Sequence, residues 1–203
     1  MMALALPDPY NPEADNAISE LIIAGYQKFL ENEYTGLTNS TIQVVNYMTT
    51  YGESGLDIDA HSRGSLTVGN AIEYLAANGQ NVLDTTSINL FGPAYNAQDM
   101  ANLLYTTSNG QQNYVTLYNH VADPVGTYIG GNLATGGSIP SDSNLYLEML
   151  RAAIGQANTS HNLYIVIDEN FRPYLPLDVR NELINGYHAE PVEGKKIDAN
   201  NQY

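Results

Sequence analysis

Apolar residues recur every three or four positions in several stretches of this chain. From Ala14 to Tyr34 they alternate in this way with polar residues on the opposite face, which is typical of an amphipathic helix. The capping-prone run that opens at Thr38 predicts the start of a second helix. The same spacing predicts helices over 38–51, from 66 to a stop at Gly79, over 97–107 and over 145–155.

Short apolar runs stand between these helices. Leu56 to Ala60 leads through a tight turn into the next helix, and Ile88 to Phe91 and Tyr114 to Tyr118 occupy corresponding places further along. Strands that alternate with helices indicate a parallel sheet. The sequence therefore predicts the α/β class, with a mostly parallel sheet and flanking helices.

Three segments lack either period. Residues 1–13 are punctuated by prolines and are interpreted as a linker, which suggests a domain cut from a longer chain. The Gly-rich run from Gly126 to Pro140 predicts a long surface loop. Residues 188–203 are interpreted as a polar tail, so we expect the folded domain over residues 14–187.

Charge and composition narrow the classes of function. The chain has 203 residues, with 7 Lys and Arg against 22 Asp and Glu, a formal net charge of −15 and no Cys. An acidic chain without a basic cluster repels polyphosphates, which argues against nucleic-acid binding. The lack of Cys excludes disulfides and thiolate metal sites but leaves the compartment open. No apolar run approaches the roughly 20 residues that span a bilayer, so no transmembrane segment is predicted.

The turn Ala60-His61-Ser62-Arg63-Gly64 carries the strongest chemical signal. It joins a predicted strand to a predicted helix, where a serine projects above the edge of the sheet and small residues are needed two positions to either side. Ala60 and Gly64 meet that need. The helix that follows would aim its N-terminal N–H groups at the site, with the backbone N–H of Arg63 as an oxyanion donor.

This turn resembles the G-x-S-x-G motif of the α/β-hydrolase family, with Ala in the first small position. The family order of serine, acid and histidine is matched by Ser62, Asp123 and His161. Asp123 precedes Pro124 after a predicted strand, similar to the acid segment of lipase-like members. The resemblance implies a reduced α/β-hydrolase-like fold, a Ser-Asp-His triad, and neither a metal nor another cofactor.

The residues themselves leave alternatives for two of the three positions. Asp123 could instead form an Asx turn, which leaves Asp99 and Asp142 as candidates for the acid. For the base, His120 lies too close to the acid strand and His188 lies in the polar tail, so His161 is preferred.

Two further sets of polar residues have structural interpretations. His61 is interpreted as a packing or lid-contact residue rather than a base, because side chains adjacent across a sharp turn point apart. Asp57 and Asp59 alternate with apolar residues, and we expect a strand that faces polar neighbours rather than a metal pair.

Two hypotheses about function follow. In the first, the protein is a serine hydrolase that cleaves carboxylic esters, favouring lipid or acyl esters, through an acyl-enzyme. In the second, it is a non-catalytic interaction module on a hydrolase-like scaffold, because only helices are predicted before Leu56, where a typical hydrolase has several strands and its second oxyanion donor. The Gly-rich loop is one candidate source of that donor.

The composition also resembles a C-terminal effector domain of a large secreted bacterial exoprotein, which implies an immunity protein as a partner.

Overall fold

The structure is a computed structural model that describes residues 2–6, for which only the backbone is considered, 37–139, 141, 143–153, 161, 164 and 188–196. The helix predicted from Ala14 to Tyr34 and the candidate acid Asp142 lie outside the described residues. The end of the helix predicted over 145–155 does so too.

Five strands form one mixed sheet in chain order. Neighbouring strands are parallel across the first four, and the last strand runs antiparallel to the fourth. The prediction of a mostly parallel sheet with flanking helices is therefore confirmed. The strands are β1 Met2–Leu6, β2 Leu56–His61, β3 Ser87–Phe91, β4 Tyr114–Tyr118 and β5 Glu190–Glu193.

The described helices begin and end close to the predicted positions. Polar side chains cap two of them: the Thr38 side chain accepts from the Thr41 N–H at 3.3 Å, and Asn96 accepts from the two residues that follow Ala97. The helices are α1 Asn39–Tyr51, α2 Gly64–Ala77, α3 Ala97–Thr107, a π-helical turn Val125–Ile129 and α4 Leu145–Ala153.

Successive side chains of a strand point to opposite faces of a sheet. Buried apolar residues alternate with more exposed ones along β2, β3 and β4, so the core lies on one face. On the other face the strands carry mainly polar residues, with Phe91 stacked on Tyr118 near their carboxyl ends. Asp57 accepts a hydrogen bond from Ser87, and Asp59 accepts one from Asn89 at 2.8 Å, so both carboxylates have polar neighbours on β3. The buried sheet residues are Leu56, Ile58, Ala60, Ile88, Leu90, Val115 and Leu117, and they cluster with Leu66, Ile72, Leu75, Met100 and Leu104 of α2 and α3.

Two strands were not predicted. β1 lies in the segment interpreted as a linker, and its Leu6 pairs with Ala60 at the end of β2. β5 lies in the segment interpreted as a polar tail, and of its four residues only Val192 is half-buried. β5 carries little hydrophobic period, so its partner strand decides its structure. Among the described residues, a strand as well as the helix α1 therefore precedes Leu56.

The Gly-rich segment is also more ordered than a surface loop. Its start forms part of the π-helical turn, and Asn132 is only 6% exposed. The Asn132 side chain accepts from the Ala97 N–H at 2.7 Å and donates to the carbonyl oxygens of Pro93 and Tyr95 at 3.2 and 3.0 Å. The loop prediction is wrong for 126–129, which belong to the π-helical turn. The Asn132 bonds join positions more than thirty residues apart, so no local sequence pattern indicates them.

Candidate active site

Ser62 lies in a strained turn between β2 and α2. Its φ is +51°, in the left-handed region that a residue with a Cβ seldom adopts. Backbone hydrogen bonds hold the turn: the Ser62 N–H donates to the Phe91 carbonyl at 3.1 Å. The Ser62 carbonyl accepts from the Ser65 hydroxyl at 2.6 Å and from the Ala94 N–H at 3.2 Å. The end of β3 and the start of α2 thus hold a conformation that the serine would not adopt alone.

His161 connects this serine to an acid. Its Nε2 lies 2.9 Å from the Ser62 Oγ, and its Nδ1 lies 3.0 Å from each carboxylate oxygen of Asp123. A carboxylate only accepts hydrogen bonds, so Nδ1 carries the proton in the neutral imidazole and Nε2 is free to accept the serine proton. The structure therefore brings together the three residues that the motif order selected.

Asp123 is fully buried just beyond β4 and receives hydrogen bonds on both oxygens. Oδ1 accepts from the N–H groups of Val125 and Gly126 at 2.9 and 3.3 Å, and Oδ2 accepts from the Tyr164 hydroxyl at 2.7 Å. Burial by itself raises the pKa of this carboxyl. The charge of His161 and the hydrogen bonds outweigh burial, so the pKa of Asp123 lies below its ordinary value.

His61 supports the base and is not part of the proton path. Its Nε2 donates to the backbone carbonyl of His161 at 2.8 Å, and the two rings lie 4.8 Å apart. A carbonyl only accepts, so the His61 proton is on Nε2. This contact agrees with the interpretation of His61 as a packing residue.

Two residues of the site were missed by the sequence analysis. Gly92 follows β3 with a φ of +49°, and a Cβ there would overlap Asp123 and lie 2.6 Å from Cε2 of Tyr164. Tyr164 is 3% exposed and lies between the acid and the rings of His61 and Phe91. Gly92 stands in a Gly-Pro pair that reads as an ordinary turn, and Tyr164 follows His161 by three residues, so only the fold shows that they meet.

The alternative residues lie elsewhere or have other partners. Asp99 is exposed in the first turn of α3, and His188 is exposed just before β5. His120 is buried behind the acid, where its Nδ1 accepts from the Ala122 N–H at 3.0 Å and burial lowers its pKa. Among the contacts of the described residues, none joins Asp99, His120 or His188 to Ser62.

The start of α2 supplies the electrostatic field of the site. Arg63 follows Ser62 and precedes the first residue of this 14-residue helix, whose N-terminal end favours negative charge. The Gly-rich segment, considered above as a source of a second donor, is held by bonds from Asn119 to the carbonyl oxygens of Asn132 and Leu133. The Asn132 side chain also bonds to Pro93 and Ala97. The second donor stays a prediction. Within the described ranges, no group of three or more His, Asp or Glu side chains could hold a metal ion.

Comparisons of the chain with protein-family models, with curated proteins and with solved structures find no match. The proposed function therefore rests on the geometry of the site. Of the helices that the structure describes, none is sufficiently long and apolar to cross a membrane.

Proposed function

We propose that this protein is a serine hydrolase that cleaves carboxylic esters through Ser62, His161 and Asp123. The observation that carries the proposal is the hydrogen-bonded series from the Ser62 Oγ through both ring nitrogens of His161 to a buried carboxylate, with distances of 2.9 and 3.0 Å. A serine that only capped α2 would need neither the histidine nor the acid. The positive φ of Ser62 at the end of a parallel strand is a second support.

In the proposed reaction each step of acyl transfer is assigned to a group of the site. His161 Nε2 takes the hydroxyl proton as the Ser62 Oγ bonds to the ester carbonyl carbon, and the carbonyl electron pair moves to oxygen. The backbone N–H of Arg63 and the positive end of α2 stabilise that oxyanion. When it collapses, the alkoxide leaves with the proton from His161, and the acyl group stays on Ser62. Water then attacks the acyl carbon as His161 takes its proton. That proton returns to the Ser62 Oγ when the carboxylic acid product is released.

Asp123 serves the charged stage of this cycle. His161 becomes an imidazolium whose Nδ1–H faces a carboxylate that the protein has buried and surrounded with donors. Since the pKa of Asp123 lies below its ordinary value, the carboxylate stays ionised at neutral pH and compensates the new charge. The same hydrogen bond keeps the imidazole in the tautomer that the serine needs.

Esters with an apolar acyl group are the proposed substrates. The segment that follows Asp123 in the chain exposes two large side chains, Tyr128 at 70% and Leu133 at 86% of their surface. Exposed side chains of this kind would be suitable for contact with an acyl chain. Hydrolysis of p-nitrophenyl esters of increasing chain length tests this point. We expect kcat/KM to rise from acetate to octanoate, and a steady fall would contradict an apolar acyl site.

Labelling by a fluorophosphonate probe, which forms a bond only with an activated serine, tests the activity itself. We expect one label per chain on Ser62, and none after Ser62→Ala. Ser87→Ala is the matched control, because Ser87 lies at the opposite end of the parallel strands and should leave labelling unchanged. An unlabelled wild-type chain would refute the hydrolase and favour the alternative of a non-catalytic interaction module.

A further inference from the structure

The hydroxyl of Tyr164 has a fixed orientation between two partners. Its oxygen lies 2.8 Å from the backbone N of His120 and 2.7 Å from the Asp123 Oδ2. A backbone N–H can only donate, so the hydroxyl accepts there. Its single proton must then point at the carboxylate. The donor direction is set by the protein and not by a free rotor.

This bond completes the set of donors around the acid. The two backbone N–H groups of Val125 and Gly126 hold Oδ1, and Tyr164 holds Oδ2, so the carboxylate is restrained at both oxygens while it faces His161. The ring of Tyr164 is almost fully buried, and the absence of a side chain at Gly92 leaves room for it. The hydroxyl therefore meets Asp123 in a dry environment, where hydrogen bonds to a charged group are strong.

We propose that Tyr164 is a positioning residue of the hydrolase: its hydroxyl, oriented by the His120 N–H, holds the Asp123 carboxylate toward His161 and withdraws part of its negative charge. This inference rests on the proposed function and extends it to the control of the base. A donor on Oδ2 weakens the attraction between Asp123 and the imidazolium. Without that donor the imidazolium would be stabilised, and the serine would need a higher pH to react.

The surroundings allow this effect to be isolated. Among the described residues, the other titratable side chains that face the pair are His61 from β2 and His120 behind the acid, and Glu148 of α4 acts on His120. A substitution that removes only the Tyr164 hydroxyl keeps all of these side chains and takes away one bond to Asp123 together with the acceptor of the His120 N–H. A shift in the pH profile can therefore be attributed to that hydroxyl.

The experiment measures the rate of fluorophosphonate labelling against pH in full-length Tyr164→Phe. We expect the plateau rate to fall about tenfold, because the Asp123 carboxylate loses the donor that holds it in line with His161. The pH of half-maximal rate should rise by about half a unit. Tyr95→Phe is the matched control, because it also removes a buried tyrosine hydroxyl from a carboxylate, that of Glu73, away from the site. It should lower stability and leave the profile unmoved.

A second variant keeps the hydroxyl and guards against misfolding. 3-Fluorotyrosine at position 164 is a stronger donor and should move the half-maximal pH downward, opposite to phenylalanine. An unchanged profile in both variants, or an equal shift in Tyr95→Phe, would overturn the positioning role while leaving the hydrolase intact. If the wild-type chain takes no label at any pH, the hydrolase proposal fails. The NMR resonance of the His161 Nδ1–H then still decides the contact, since it should move in opposite directions in the two variants.

Discussion

Replacing Gly92 with alanine should damage the fold and the acid together. The backbone at Gly92 has a φ of +49°, where an L-residue costs about 1–2 kcal/mol more than glycine. Reduced freedom of the unfolded chain returns about 0.4–1 kcal/mol. The added methyl group would also overlap Asp123 and approach Cε2 of Tyr164 to 2.6 Å. Overpacking of this kind costs about 1–3 kcal/mol, so we expect a loss of about 3 kcal/mol, within limits of about 1 and 5 kcal/mol.

Gly79→Ala separates the two contributions. Gly79 has a φ of +65°, and a Cβ there would meet nothing within 4 Å, so this variant carries the backbone strain without the overlap. Urea unfolding should show a loss of only about 1 kcal/mol for Gly79→Ala, with labelling of Ser62 unchanged. In Gly92→Ala labelling should fall as Asp123 is displaced. If the two variants lose equal stability and label at the wild-type rate, then Gly92 does not make room for the acid.

Two further predictions concern the acid and pH. Asp123→Asn should lower labelling and ester turnover by up to about 10⁴-fold, because the amide would fix the wrong tautomer of His161. Asp99 is an exposed carboxylate on α3, so Asp99→Asn should retain both activities. Equal losses of activity in the two variants would contradict the assignment of Asp123 as the acid. Burial lowers the pKa of His120, so the unfolded chain binds a proton that the folded chain does not. Stability should therefore be complete above about pH 6.5 and fall as the pH drops below it. Urea unfolding at pH 8 and 5 measures this loss of free energy of unfolding. His120→Asn should make the loss smaller, and the exposed His188→Asn should leave it unchanged. The same loss in the wild type and both variants would exclude His120 as the cause.

The central part of the fold was predictable because its signals are local. The strand from Leu56 and the helix that ends near Ala77 each carry a hydrophobic period, and the helix from Ala97 to Thr107 agrees with its prediction at both ends. The edge strand β5 was not predictable. Glu190–Glu193 buries one side chain only in part, and β4 supplies the hydrogen bonds that make it a strand.

For the site, the sequence by itself determined the order of the candidate residues and the turn that presents Ser62. Small residues at Ala60 and Gly64 and the switch from strand to helix period are local features, so they can be read without the fold. The same reading left Asp99 and Asp142 open beside Asp123, since several carboxylates satisfy the order equally well.

Only the tertiary structure decided which groups meet. His161 lies 99 residues from Ser62 along the chain and 38 from Asp123, and Tyr164 lies 44 from the backbone N–H that orients it. The parallel register aligns the carboxyl ends of β2, β3 and β4, and this alignment gathers the nucleophile, Gly92 and the acid at one edge. Hydrogen-bond geometry then fixes roles that residue type cannot, because a histidine or a tyrosine acquires its function from the partner that determines where its proton points.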